Sequence, residues 1–120
     1  RLLQGQGLTI FGDGGQARDF VHVSDVVQAN LLAMDSDAVG EVFNVGTGVA
    51  TTVQHVADLL RRAIRPEAPV AYEAARSEEL RYAVADITKA RRLLGYEPKR
   101  RLADHIGEVI EYCKRSVRSD

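Results

Sequence analysis

The sequence predicts a mixed α/β fold, with helices interleaved with short strands in one domain spanning residues 1–120. Three observations carry that prediction. Short apolar runs, such as Leu8-Thr9-Ile10-Phe11, stop abruptly at glycine turns, as strands do. Longer stretches, most clearly 102–117, repeat apolar residues at helical spacing. No internal repeat, low-complexity tract or linker divides the chain.

Taken in order, Arg1 to Gly7 reads as the last turn of a helix, ended by Gly5 or Gly7. The strand Leu8–Phe11 follows, and then the turn Gly12-Asp13-Gly14-Gly15. A second β-type run is expected over Phe20-Val21-His22-Val23. Ser24 or Asp25 would cap a helix from Val26, buried along Val26, Ala29, Ala33 and Met34 and ended at Asp35-Ser36-Asp37. A short strand is predicted at Val42-Phe43-Asn44-Val45, then a tight loop, Gly46-Thr47-Gly48. Thr51 or Thr52 suits the N-cap of a helix from Val53 to about Arg65. Its buried face is Val53, Val56, Ala57, Leu60 and Ile64. Pro66 ends that helix and Pro69 opens a strand, Val70-Ala71-Tyr72; residues 74–82 read as loop. Asp86 would cap a helix carrying Ile87, Ala90, Leu93 and Leu94, stopped by Gly95 and Pro98. The last helix carries Leu102, Ile106, Val109, Ile110, Cys113 and Val117, with Lys114, Arg115 and Arg118 suited to its C-terminus. Strands this short make a thin sheet, and the apolar helix faces call for another surface to cover.

Composition narrows the function. Hydrophobic residues at 45% and charged residues at 28% are globular proportions. A net charge of −1 gives no electrostatic footprint for nucleic acid. No apolar run approaches the roughly 20 residues that span a bilayer, so no membrane partner is expected. The single cysteine, Cys113, excludes an internal disulfide, and its place on a helix among apolar residues reads as buried filler. His22, His55 and His105 lack metal-ligand spacing, the aspartates around Asp13, Asp19 and Asp25 do not match an EF-hand, and no metal is expected. His22 reads as a hydrogen-bonded structural histidine. The compartment expected is cytoplasmic.

Between Thr9 and Asn30 a glycine turn is followed at once by Gln16, Arg18 and Asp19. Such a loop can bring backbone N–H groups and a guanidinium to an anion; a plain hairpin with a solvated arginine, or one paired with Asp19 or Asp25, fits the spacing too. The block G-D-G-G-Q-A-R-D-F-V-H-V-S-D-V from Gly12 resembles the G-D-G-x-Q-x-R-D-[FY]-[VI]-[HY]-V-x-D-[VL] block of the NAD-dependent epimerase/dehydratase family, extended short-chain dehydrogenase/reductases acting on nucleotide sugars. Two further blocks keep the family's order: Phe43-Asn44-Val45-Gly46-Thr47-Gly48, and Arg76 through Asp86-Ile87-Thr88-Lys89-Ala90 to Leu94-Gly95-Tyr96-Glu97-Pro98. The resemblance covers nearly the whole chain. It implies the small C-terminal, nucleotide-sugar-binding portion of a longer enzyme whose N-terminal Rossmann domain binds NAD.

The resemblance also implies site residues. Arg18, within Gln16-x-Arg18, would contact the diphosphate of a UDP- or dTDP-linked sugar. Arg76 and Glu79 match an R-x-[GD]-[DE] segment that offers arginine to phosphate and acid to ribose. Here Glu78 replaces the usual Gly or Asp, and a solvated charge run is the bland alternative. Phe11 would frame the base, or simply fill the core. Asn44 looks structural. Gly46-x-Gly48 is no dinucleotide fingerprint, because position 51 is threonine.

No catalytic residue is expected in this chain. The family's Y-x-x-x-K pair has no counterpart: Tyr72, Tyr82, Tyr96 and Tyr112 are followed four residues on by Arg76, Asp86, Arg100 and Ser116. Its G-x-x-G-x-x-G cofactor motif is also missing. NAD is therefore expected in the full-length enzyme and not on this chain alone. A homodimer is a further expectation from the family. The alternative reading is a non-catalytic binding or interaction domain descended from it.

Overall fold

The computed structural model describes residues 1–117. Its mixed α/β character follows the sequence reading; the first strand has the expected bounds, the strand from Val70 runs one residue longer, and the strands expected at 20–23 and 42–45 do not form. A 3-10 turn, Leu2–Gln4, is closed by Gly5 in the left-handed region and leads into β1, Leu8–Phe11. β2 is Ala17–Arg18 and α1 is Val23–Met34. β3, Thr51–Thr52, runs straight into α2, Val53–Ile64. β4 is Val70–Glu73, β5 is Tyr82–Ala83, α3 is Thr88–Leu94 and α4 is Leu102–Val117.

Two small sheets replace the single thin one. β1 pairs in parallel with β4, Leu8 opposite Val70 through Phe11 opposite Glu73. β2 lies between β3 (antiparallel) and β5 (parallel), so Arg18 stands opposite both Thr51 and Ala83. The turn between β1 and β2 places Gly12 and Gly14 at φ 74°, a conformation that glycine adopts without steric cost. The segment from Phe11 to Arg18 thus steps from one sheet to the other, and the segment from Glu73 to Tyr82 makes the same step beside it.

The run Phe20–Val23 forms no strand. After Arg18 the ladder ends, and the chain enters α1 at Val23 with His22 as N-cap, ahead of the expected Ser24 or Asp25. The Ser24 amide donates to His22 Nδ1 at 3.2 Å, and the Ser24 hydroxyl lies 2.8 Å from the same nitrogen. Val42–Val45 is not a strand either. No described strand lies beside it, although Phe43 and Val45 do pack on the core while Val42 points out. Tyr82, read as loop, opens β5.

The main core is Ala29, Ile87, Ala90, Leu94 and Tyr96, joining α1 to α3. On α1 the buried positions are Asp25 and Ala29, with Leu32 half-buried, whereas Ala33 and Met34 of the expected stripe face out. Val23, Val27, Leu31 and Met34 form an exposed apolar stripe on the same helix. The cap of α2 is Thr52, whose hydroxyl accepts from the His55 amide at 3.1 Å. The N-cap of α3 is Ile87 and not the expected Asp86, which stands one residue outside the helix and accepts from the Thr88 amide through Oδ1 at 2.9 Å. Gly95 closes α3 in the left-handed region. Cys113 is exposed, contrary to the expectation of buried filler: α4 packs on α2, but along its described length only Ile110 is fully buried. Arg118 lies outside the described residues.

Candidate nucleotide site

The residues singled out in the sequence come from two distant segments, 11–18 and 76–79, and the fold brings all of them together. Gln16 is buried, and its Nε2 donates to the Phe11 carbonyl at 2.9 Å and to Glu79 Oε2 at 3.4 Å. Arg18 Nη2 donates to Glu79 Oε1 at 3.3 Å, and Nη1 to the Ala17 carbonyl at 2.9 Å. Arg76 lies over the ring of Phe11, its guanidinium carbon 4.2 Å from the centroid, a cation–π arrangement. Arg76, Ser77, Glu78 and Glu79 line an open pocket of about 420 Å³.

The elements explain the convergence. β1 pairs with β4 and β2 with β5, so the two connections run side by side. Gln16 and Arg18 are two apart and project the same way from extended chain. Arg18 does not pair with Asp19 or Asp25, the alternative partners that spacing allowed; its carboxylate partner is Glu79, 61 residues away. Two guanidiniums and one carboxylate therefore meet at a half-exposed surface. A cation pair there can bind a diphosphate through charge-assisted bonds, and a carboxylate can accept from paired hydroxyls.

Asp19, next to Arg18, does something else. Its carboxylate accepts from the Thr47 hydroxyl at 2.5 Å and from the amides of Thr47, Gly48 and Ala85 at 2.8, 2.9 and 3.3 Å. Burial pushes its pKa up, but the bonds from Thr47, Gly48 and Ala85 together outweigh that, and the carboxyl ends below its usual range. Gly46 is needed beside it, because a Cβ there would collide with Asp19 Oδ2. Asp25, 2% exposed, accepts from the amides of Lys99 and Arg100, both at 3.0 Å. Tyr96 donates its hydroxyl to the Gly46 carbonyl at 2.8 Å.

Comparison with known proteins decides the kinship. Residues 1–46 match the model of the NAD dependent epimerase/dehydratase family. The UDP-glucose 4-epimerase of Mycolicibacterium smegmatis is 37% identical over 94% of the chain and 36% of its own length. The solved UDP-glucose 4-epimerase of Thermotoga maritima, with UDP-glucose, superposes with a TM-score of 0.89 at 41% identity, over 98% of this chain and 38% of that one. The UDP-glucuronic acid 4-epimerase of Bacillus cereus, in complex with UDP-glucuronic acid and NAD, gives a TM-score of 0.86 at 30% identity, over 95% of this chain and 37% of that one. Over nearly its whole length the chain resembles a partial segment of enzymes of the NAD dependent epimerase/dehydratase family. It spans little more than a third of the length of these relatives.

The loop Gly46-Thr47-Gly48 is committed to the scaffold. The amides of Thr47 and Gly48, the kind of group a dinucleotide phosphate would need, donate to Asp19. Asn44 Nδ2 donates to the Asp86 carbonyl at 3.3 Å, a tie between loops. Among the described residues, no three His, Cys, Asp or Glu side chains gather as a metal set, and no helix is long and apolar enough to cross a membrane. The sequence reading missed Arg81. It grips Asp13 with both terminal nitrogens, Nη1 to Oδ1 at 2.7 Å and Nη2 to Oδ2 at 2.8 Å. Asp13 also accepts from the Gly15 amide at 2.8 Å, and the Arg81 bond, then the Gly15 bond, pull its carboxyl down to about 2. Nothing in an R-S-E-E-L-R run distinguishes Arg81 from Arg76 before the strands are paired.

Proposed function

We propose that residues 1–120 are the C-terminal nucleotide-sugar-binding domain of an NAD-dependent epimerase or dehydratase. The observation that carries this reading is the convergence of Phe11, Gln16, Arg18, Arg76 and Glu79 from two segments some sixty residues apart. Arg18 and Arg76 bind the diphosphate of a UDP- or dTDP-linked sugar, and Glu79 accepts from the ribose hydroxyls. β1 uses one edge for β4, and among the described residues no strand covers the other, where its N–H and C=O groups face a base beside Phe11. Gln16 locks the Phe11 carbonyl to Glu79 and so fixes the base end of the site against the ribose end. Bound UDP-sugars in solved relatives support this reading.

The NAD-binding half and the tyrosine–lysine pair belong to chain beyond these residues. The exposed apolar stripe Val23, Val27, Leu31 and Met34 offers that half a surface to pack on. What this segment contributes to rate is positioning: gripping the nucleoside diphosphate fixes the sugar over the cofactor, and holding reactants in place is worth several kcal/mol of barrier.

The test is an NMR titration of the 120-residue chain with UDP, dTDP, GDP and NAD separately. UDP or dTDP should shift the amides of Gly12–Asp19 and Arg76–Glu79, and NAD should leave them unmoved. A well-dispersed spectrum that no nucleotide perturbs would overturn the assignment and favour an interaction module.

A further inference from the structure

We propose that the Asp13–Arg81 ion pair is the latch that holds the two ligand-bearing loops together while ligand is bound, and that both are positioning residues for nucleotide affinity. This deepens the nucleotide-binding reading and rests on it.

The argument starts from what tethers the segment 74–81. It has no strand partner along its length, and its residues are exposed. Its ends are fixed, because Glu73 closes the β1–β4 ladder and Tyr82 opens β5 beside β2. Between them, side chains bridge to 11–18. Arg76 lies on Phe11, and Glu79 accepts from Arg18 and Gln16. Those contacts are made by the very groups that a nucleoside diphosphate would engage. Ligand oxygens on Arg18 and Arg76 compete with Glu79 and with the Phe11 face, and hydroxyls on Glu79 compete with Arg18 and Gln16. Binding therefore loosens the bridges that shape the site.

Among the described residues, the side-chain bridge between these segments that ligand leaves intact is Asp13–Arg81. Its geometry suits a latch. The fork-to-carboxylate contact is bidentate, which fixes direction as well as distance. Asp13 is stiffened from its own side by the Gly15 amide. Arg81 is stiffened from its own side because its carbonyl accepts from the Ala17 amide at 2.9 Å, next to Arg18. The closeness of Gly15 matters too, since a Cβ there would lie 2.6 Å from Arg81 Nη2. Both partners are well exposed, so the pair contributes little to global stability. Its effect falls on where Arg76 and Glu79 stand relative to Arg18.

The experiment is a double-mutant cycle on UDP affinity, with Asp13→Asn, Arg81→Met and the double variant, and Arg18→Ala as a control for the site itself. Each latch single should weaken UDP about tenfold, and the double should be no weaker than either single, because the two changes remove one interaction. Thermal midpoints should stay within a degree or two, a readout that separates positioning from general destabilisation. If Arg18→Ala weakens UDP while the latch variants bind like wild type, or their effects simply add, the latch is refuted and the nucleotide site stands. If Arg18→Ala changes nothing, the nucleotide reading falls and takes the latch with it. A large drop in midpoint in the latch variants would assign the pair to folding and likewise overturn the proposal.

Discussion

Arg18 and Asp19 are neighbours in the chain and opposites in use. Arg18 points to the half-exposed cluster with Glu79, where its partner is another side chain on a loop. Asp19 points the other way and takes hydrogen bonds from Thr47, Gly48 and Ala85; Asp25, six residues on, takes the amides of Lys99 and Arg100. Alternation along extended chain accounts for the split at Arg18 and Asp19. The lesson is that one motif serves two tasks: Asp19 and Asp25 gather backbone loops into a scaffold, and Arg18 stays at the surface, where we propose that it meets ligand. Acids suit the first task because a carboxylate accepts several N–H bonds at once; a guanidinium only donates, so it suits an anion.

That contrast predicts unequal costs for removing each group. Asp25→Ala should be the most damaging, since it orphans two backbone N–H groups at a buried site. The expected loss is about 3 kcal/mol, at roughly 1–3 kcal/mol per unsatisfied group, read from the denaturant midpoint. A loss below about 1 kcal/mol would mean that the Lys99–Arg100 loop is not held as the geometry indicates.

Asp19→Asn should cost about 2 kcal/mol, because the amide keeps one acceptor and turns an NH₂ toward N–H donors. It also sharpens the comparison through pH. The folded Asp19 titrates below its unfolded value, so its contribution is fully present above that unfolded value, near 4, and is lost as pH falls through the lowered folded value. Acid unfolding followed by circular dichroism should therefore be flatter below about pH 4 in the variant than in wild type. Equal acid limbs would show that the carboxylate's charge is not what the loops use.

His22→Ala should cost about 1 kcal/mol by removing the α1 cap, and His22→Asn should restore most of it, asparagine being a strong N-cap. Failure of the asparagine to rescue would shift the role of His22 to its contact with Glu108, where its Nε2 lies 3.4 Å from Oε2.

Much of this was legible before the fold was known, and the failures have physical causes. α2 and α4 were readable because twelve or more residues of helical periodicity are hard to mistake. The candidate residues were readable because spaced blocks in family order carry the site's chemistry. What could not be read was tertiary. Phe20–Val23 has strand composition, yet a strand needs a partner's edge, and β2 ends at Arg18. Two-residue strands such as β3 and β5 carry no periodicity at all. Met34 and Cys113 are apolar residues that the chain leaves exposed, and sequence spacing cannot say which of two apolar faces of α1 is covered within these residues. The latch across Asp13 and Arg81, 68 residues apart, depends on strand pairing that no local pattern announces.

Arg18→Ala completes the comparison as the smallest stability effect. The Arg18–Glu79 pair is about a third exposed on each side, and such pairs contribute about 0.5 kcal/mol. Nothing is orphaned by its loss that water cannot reach, since Glu79 can solvate and the Ala17 carbonyl sits at the same surface. The variant should therefore unfold within about 0.5 kcal/mol of wild type while losing roughly tenfold in UDP affinity, the worth of one charge-assisted contact. The two readouts must diverge for the division of labour to hold. If Arg18→Ala instead destabilises the fold as much as Asp19→Asn does, Arg18 belongs with the acids as scaffold, and the cluster with Glu79 is a structural ion pair.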